Sequence, residues 1–299
     1  MTIMAKMSAS PQFHGAACSI FTAELLKMPQ CESGFKSRSL FSLSVSLPEN
    51  LQAKDSLLKL KLAALGLRYT PSETRHKRAE QGFSALGADA SSAVSTLIEI
   101  YEQNNSPTAR HAAANALVEI GPAAKQAIPA LIKSATGTNS EVRAFAVYTL
   151  GRMAFESEIV VPVLITSLHD PDREVRYQAA FGLSSFAFMG GDAKAAVPAL
   201  MEALQDSYMG ARCGAAQALG HIHSEPGTVV PALIKSLRDP DAFVRAHVAA
   251  ALGEFGTNGK PAFGSLAELL HDENLNARNA AFTALRSIDS EAAARAGVK

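Results

Sequence analysis

Beyond about residue 88, apolar and polar positions repeat in a fixed order anchored on six arginines: Arg110, Arg143, Arg176, Arg212, Arg245 and Arg278. Their separations are 33, 33, 36, 33 and 33 residues. Seven positions after each stands a leucine (Leu117, Leu150, Leu183, Leu219, Leu252, Leu285), and ten after each a large apolar residue (Ile120, Met153, Phe186, Ile222, Phe255, Ile288). Twelve positions before the arginine, five repeats carry another leucine: Leu131, Leu164, Leu200, Leu233 and Leu266. The first repeat has Leu97 one position earlier. Around each arginine the apolar residues keep helical spacing. A period of this length holding two helical patterns predicts an array of paired helices, A and B, rather than a globular domain.

Local chemistry supports two helices per unit. Helix A opens on Ile128-Pro129-Ala130-Leu131 or a variant, and proline is tolerated in a first turn whose amides have no intrahelical partner. Turns such as Asp170-Pro171-Asp172 and Asp239-Pro240-Asp241 supply aspartate for the N-cap of helix B. Small residues (Ala113, Ala146, Ala179, Ala215, Ala281) mark close helix approach, and Gly121, Gly151, Gly220, Gly253 and Gly256 read as C-caps. Six residues before the last four arginines stand Asp170, Asp206, Asp239 and Asp272. Arg143, Arg176, Arg212, Arg245 and Arg278 are therefore expected to form a structural ladder with these aspartates. The ladder is expected to weaken in the first two repeats, where Asn104 and Gly137 replace aspartate.

The run from Asp170 to Leu183, Asp-Pro-Asp-x-x-Val-Arg-x-x-Ala-Ala-x-x-Leu, resembles bacterial HEAT-like repeats of the phycobilisome-lyase type. That resemblance covers 88–290 and implies an all-α, α-α superhelix of about six helix pairs whose B helices line the concave side. Residues 51–87 read as a degenerate capping repeat, with leucines at 57, 58, 60, 62 and 65 on one face of a helix. Residues 1–50 are expected to be an irregular or mobile lead-in and 291–299 a short tail.

On the B helices, positions one, five and nine after the arginine form a stripe beside the apolar core positions. Its candidate partner-binding residues are His111, Asn115, Tyr148, Arg152, Tyr177, Phe181, Gln217 and His221. Aromatics beside arginine are typical of binding hot spots. The three-residue insertion near 186–194 predicts a protruding loop or a bend in the superhelix.

Composition narrows the function. The 28 basic and 28 acidic residues cancel, which argues against a binder dominated by phosphate contacts; no nucleic-acid partner is expected. Cys18, Cys31 and Cys213 lie far apart, so neither a disulfide framework nor a zinc site is indicated. No apolar run is long enough for a membrane span. Polar residues interrupt the segment before Cys18 that a lipoprotein signal would need, and a cytoplasmic location follows as the expectation.

The resemblance also brings enzymes into view. Deoxyhypusine hydroxylases hold two irons on His-Glu pairs, whereas this chain offers only His169-Asp170 and His271-Asp272. Bilin lyases handle tetrapyrroles, and Cys213 with the groove aromatics leaves room for one. HEAT-like DNA glycosylases are disfavoured by balanced charge and the absence of Trp. His221 and His223 point to different helix faces and do not suggest a metal site. The reading is thus a non-catalytic scaffold or adaptor without metal or cofactor, binding another protein.

Overall fold

The computed structural model of the chain describes residues 87–103 and 107–295. The expectations for 1–50 and for nearly all of 51–87 lie outside the described residues, as does Asn104. The chain divides into two compact units, Met1–Ile120 and Gly121–Lys299. In the first, a 3-10 turn at Gly87–Ala93 leads into α1 (Val94–Gln103) and α2 (Pro107–Ile120). These helices pack through buried Leu97, Leu117 and Ile120.

The second unit continues the alternation. Its A helices are α3 (Ile128–Ala135), α5 (Ser157–Ser167), α7 (Val197–Ala203), α9 (Pro226–Ser236) and α11 (Phe263–Leu269). Its B helices are α4 (Ser140–Met153), α6 (Arg173–Phe188), α8 (Met209–Ile222), α10 (Ala242–Glu254) and α12 (Leu275–Ile288), followed by the short α13 (Ser290–Arg295). Each A helix packs on its own B helix, and each B helix on the B helix of the next repeat. No strand occurs among the described residues. This is the all-α, α-α superhelix class that the periodicity predicts.

The register residues are the core. The leucines seven after and twelve before each arginine are buried throughout, as are Met153, Phe186, Ile222, Phe255 and Ile288. Four of the five B helices have a side-chain N-cap: Asn139, Asp172, Asp241 and Asn274 each accept a first-turn amide. The fifth, α8, starts at Tyr208 with no side-chain cap.

Three expectations change. Gly121 and Gly256 do take left-handed conformations at helix ends, with φ of 73° and 52°. Gly151, Gly220 and Gly253, however, lie within their helices and serve close packing. A Cβ on Gly151 would run into the Gly182 backbone, and one on Gly220 would come 2.9 Å from the Ala251 Cα. Where helices α4 and α12 open on their caps, Pro129 and Pro198 occupy the first turns of α3 and α7 as expected, but α5 and α9 begin earlier in the sequence and enclose Pro162 and Pro231. The insertion is not only loop. It lets α6 run on to Phe188, past the point where α4 and α8 end on left-handed Ala154 and His223.

The arginines join one repeat to the next. Arg143, Arg176, Arg212 and Arg245 each bond the aspartate of the following repeat through Nε and Nη2, to Asp170, Asp206, Asp239 and Asp272 at 2.6–3.0 Å. Each Nη1 donates to two carbonyls in the turn before its own helix; for Arg176 these are Asp170 O and Pro171 O. An aspartate thus receives one arginine on its carboxylate and the next on its carbonyl, giving a continuous chain of charge-assisted bonds. The second repeat is not weak: Gly137 only contributes a carbonyl to Arg143, whose carboxylate partner is Asp170. Side-chain exposure is 8–16% along the ladder, so these pairs act in a drier setting than surface ion pairs. Burial by itself would raise the Asp170 and Asp206 carboxyls, but the guanidinium and backbone hydrogen bonds, together with the charge of the arginines, outweigh it and hold both below the ordinary carboxylate range. The Arg245 hydrogen bond does the same for Asp272.

Candidate partner-binding face

Within the second unit, the stripe residues from three neighbouring B helices come together. Tyr148 on α4 stacks on Phe181 of α6 with centroids 6.1 Å apart and an interplanar angle of 21°. One turn back along α6, Tyr177 lies 6.1 Å from Phe181. Tyr208, at the head of α8, meets Tyr177 edge-on at 6.2 Å. The row is bracketed by cations: Arg152 sits 5.7 Å over Tyr148, and Arg173 5.2 Å over Tyr208. Tyr148, Tyr177, Phe181 and Tyr208 are all half-buried. Each ring therefore has one side in the packing and another in contact with solvent, unlike the core positions beside it.

Local sequence explains the row. Tyr177 and Phe181 are four apart on α6 and so share a face. Gly210 makes room beyond them, because a Cβ there would meet Tyr208 at 2.8 Å and Tyr177 at 3.2 Å. Gly214 lets α8 approach α6 at Ala180 and Phe181. Burial raises the Tyr177 hydroxyl above its ordinary pKa, and the positive charge beside the rings comes from Arg152 and Arg173.

Tyr208 was not among the residues the stripe pattern singled out. It lies four before Arg212, outside positions one, five and nine. The signal is the N-cap register: Asn139, Asp172, Asp241 and Asn274 occupy it elsewhere, and a tyrosine there forgoes a side-chain cap.

The remaining candidates fall elsewhere. His111 and Asn115 are half-buried on α2 of the first unit, and the row is confined to the second. Gln217 is half-buried one turn beyond Cys213 on α8. His221 is tied down: its Nδ1 lies 3.0 Å from Ser184 Oγ and 3.1 Å from Ser184 O, and its ring packs 5.1 Å from Phe188. His223 caps α8 and contacts the His221 carbonyl at 2.9 Å. Phe188 and Met189, at the end of the extended α6, are exposed.

Cys213 is buried rather than open to the stripe, and burial pushes its thiol up to about 11. Only on the order of one thiol in ten thousand is then ionised at pH 7, which makes it a poor nucleophile. The carboxylates of Asp170 and Asp272, beside His169 and His271, are engaged by Arg143 and Arg245. Among the described residues no group of three His, Cys, Asp or Glu side chains can hold a metal ion, and no helix is long and apolar enough to cross a membrane.

Comparison with known proteins bears on the family and the fold. The model of HEAT repeats matches residues 82–151, 128–209, 161–253 and 230–296. Among curated proteins no sequence matches. The complex of CpcE and CpcF of phycocyanin lyase from Nostoc sp. PCC7120 is 28% identical, covering 54% of this chain and 98% of that one, with a TM-score of 0.45. Kap95p, in a structure with RanGDP, is 12% identical and covers 99% of this chain and 44% of its own, with a TM-score of 0.55. Kap121p bound to the extreme C-terminus of the protein phosphatase Cdc14p is 16% identical, covers 94% of this chain and 33% of its own, and has a TM-score of 0.52. The two Kap likenesses are likenesses of fold.

Proposed function

The chain belongs to the HEAT-repeat family, and from that premise we propose that it is a non-catalytic scaffold holding a segment of another protein against α4, α6 and α8. The observation that carries this reading is the row Arg152–Tyr148–Phe181–Tyr177–Tyr208–Arg173, with Tyr208 standing where the other B helices of the second unit place a capping Asp or Asn. An N-cap side chain stabilises a helix by about 1 kcal/mol. A protein that forgoes it for one more ring in a half-exposed row has a use for the ring beyond stability.

Physically, the row suits a segment that lays apolar side chains between the rings and brings acidic groups to Arg152 and Arg173. Tyrosine contributes large contact area at little cost in conformational entropy. A bilin-handling reading draws no support from Cys213, whose thiol is buried and protonated.

The test is affinity capture from the native host, comparing wild type with the Tyr148→Ala/Tyr177→Ala variant. Both rings are half-buried, so helical circular dichroism should remain close to wild type. A partner held by wild type and released by the variant is the expected outcome. Equal capture by both proteins removes this face from consideration.

A further inference from the structure

Four ladder arginines show what their register position is built to hold. In each, two carbonyls anchor Nη1 and so aim Nε and Nη2 as a fork, which an aspartate fills. Arg278 has the same anchorage: Nη1 donates to Asp272 O at 2.7 Å and to Glu273 O at 3.0 Å. Its Nε and Nη2 bond no described residue. The fork is set in advance, and four internal examples identify its ligand as a carboxylate.

The surroundings of Arg278 differ from those of the inner rungs. Eight residues after the ladder arginine the preceding helices have small residues, Gly151, Ser184, Gly220 and Gly253, whereas α12 has an exposed arginine, Arg286. Four residues after it, the preceding helices have Val147, Ala180, Ala216 and Ala249. Here the residue is half-buried Phe282, with the Arg286 guanidinium 5.5 Å over its ring. Arg278, Phe282 and Arg286 follow one another every four residues and so share one stripe of α12. The close approach that glycine gives the next helix on α4, α8 and α10 is replaced here by the long side chain of Arg286. Nor does a second copy of this chain have a ladder aspartate to offer, since all four are held by their own arginines.

We infer that this stripe is a docking site for an acidic peptide segment of another protein. One carboxylate enters the Arg278 fork, an apolar side chain lies on Phe282, and a second carboxylate meets Arg286. Along the helix axis the two arginines are about 12 Å apart, a span that an extended segment covers in about four residues. This face is separate from the tyrosine row and does not depend on that reading.

The experiment titrates the full chain with a fluorescein-labelled peptide containing Asp-Ala-Leu-Ala-Asp, read by anisotropy, beside the same peptide with asparagines. The expected result is saturable binding that weakens about tenfold or more with the asparagine peptide, with Arg278→Gln and with Arg286→Gln. Arg286 is exposed, so R286Q tests the site without disturbing the fold, and thermal melts accompany R278Q. The inference is overturned by absence of saturable binding or by affinity indifferent to both variants. It is equally overturned if a single-stranded oligonucleotide binds as tightly and with the same dependence on the variants.

Discussion

Tyr208 sets stability against binding at a single residue. Replacing it with aspartate restores the cap that α4, α6, α10 and α12 have in Asn139, Asp172, Asp241 and Asn274. Y208D is therefore expected to raise unfolding stability by about 1 kcal/mol in urea titrations. The same change removes one ring of the row and should weaken partner binding; a variant that is both more stable and binds as before removes Tyr208 from the face. The ladder carboxylates define a pH dependence. Asp170, Asp206 and Asp272 have folded pKa values below the ordinary 3.8, so as pH falls the unfolded chain takes up these protons first. Their stabilisation is fully present above about pH 4 and declines as pH drops through the lower folded values. Urea midpoints measured at descending pH should show the fall in wild type and a shallower one in D206N.

Among the elements, the glycines inside the B helices separate two roles that the sequence alone merged. A glycine late in a helical pattern reads as a cap, because the contact that explains Gly151 is with Gly182, 31 residues on, and no local pattern reports it. Gly151→Ala is expected to destabilise the protein by about 3 kcal/mol, because the contact is backbone on backbone. Gly264→Ala, where nothing lies within 4 Å of an added Cβ, should be neutral or stabilise by about 0.5 kcal/mol. Thermal melts of the two variants check the contrast. Helix number, register and core were legible because each is written in local periodicity, from Leu131 to Ile288. The row was only partly legible: Tyr148, Tyr177 and Phe181 follow from spacing, but Tyr208 joins them through the turn before α8. The direction of the ladder was hidden for a similar reason. Asp170 stands six before Arg176 in the chain, yet its carboxylate goes to Arg143 of the preceding repeat.

At the scale of the molecule, the ladder makes neighbouring repeats depend on one another. Asp206→Ala leaves the Arg176 guanidinium without its carboxylate in a site largely shielded from water, and should cost about 3 kcal/mol. Replacing both members by apolar residues should cost less, which a double-mutant cycle on D206A and R176M would measure. Repeats so joined hold α4, α6 and α8 in fixed relation, and that relation lines up rings from three separate stretches of chain. The most direct measurement is site-specific photo-crosslinking in the native host, with a benzophenone amino acid placed at Tyr177 and, separately, at Ile159 on the exposed side of α5. The expected result is one partner protein crosslinked from position 177 and not from 159. Crosslinking from 159 with none from 177 would contradict it.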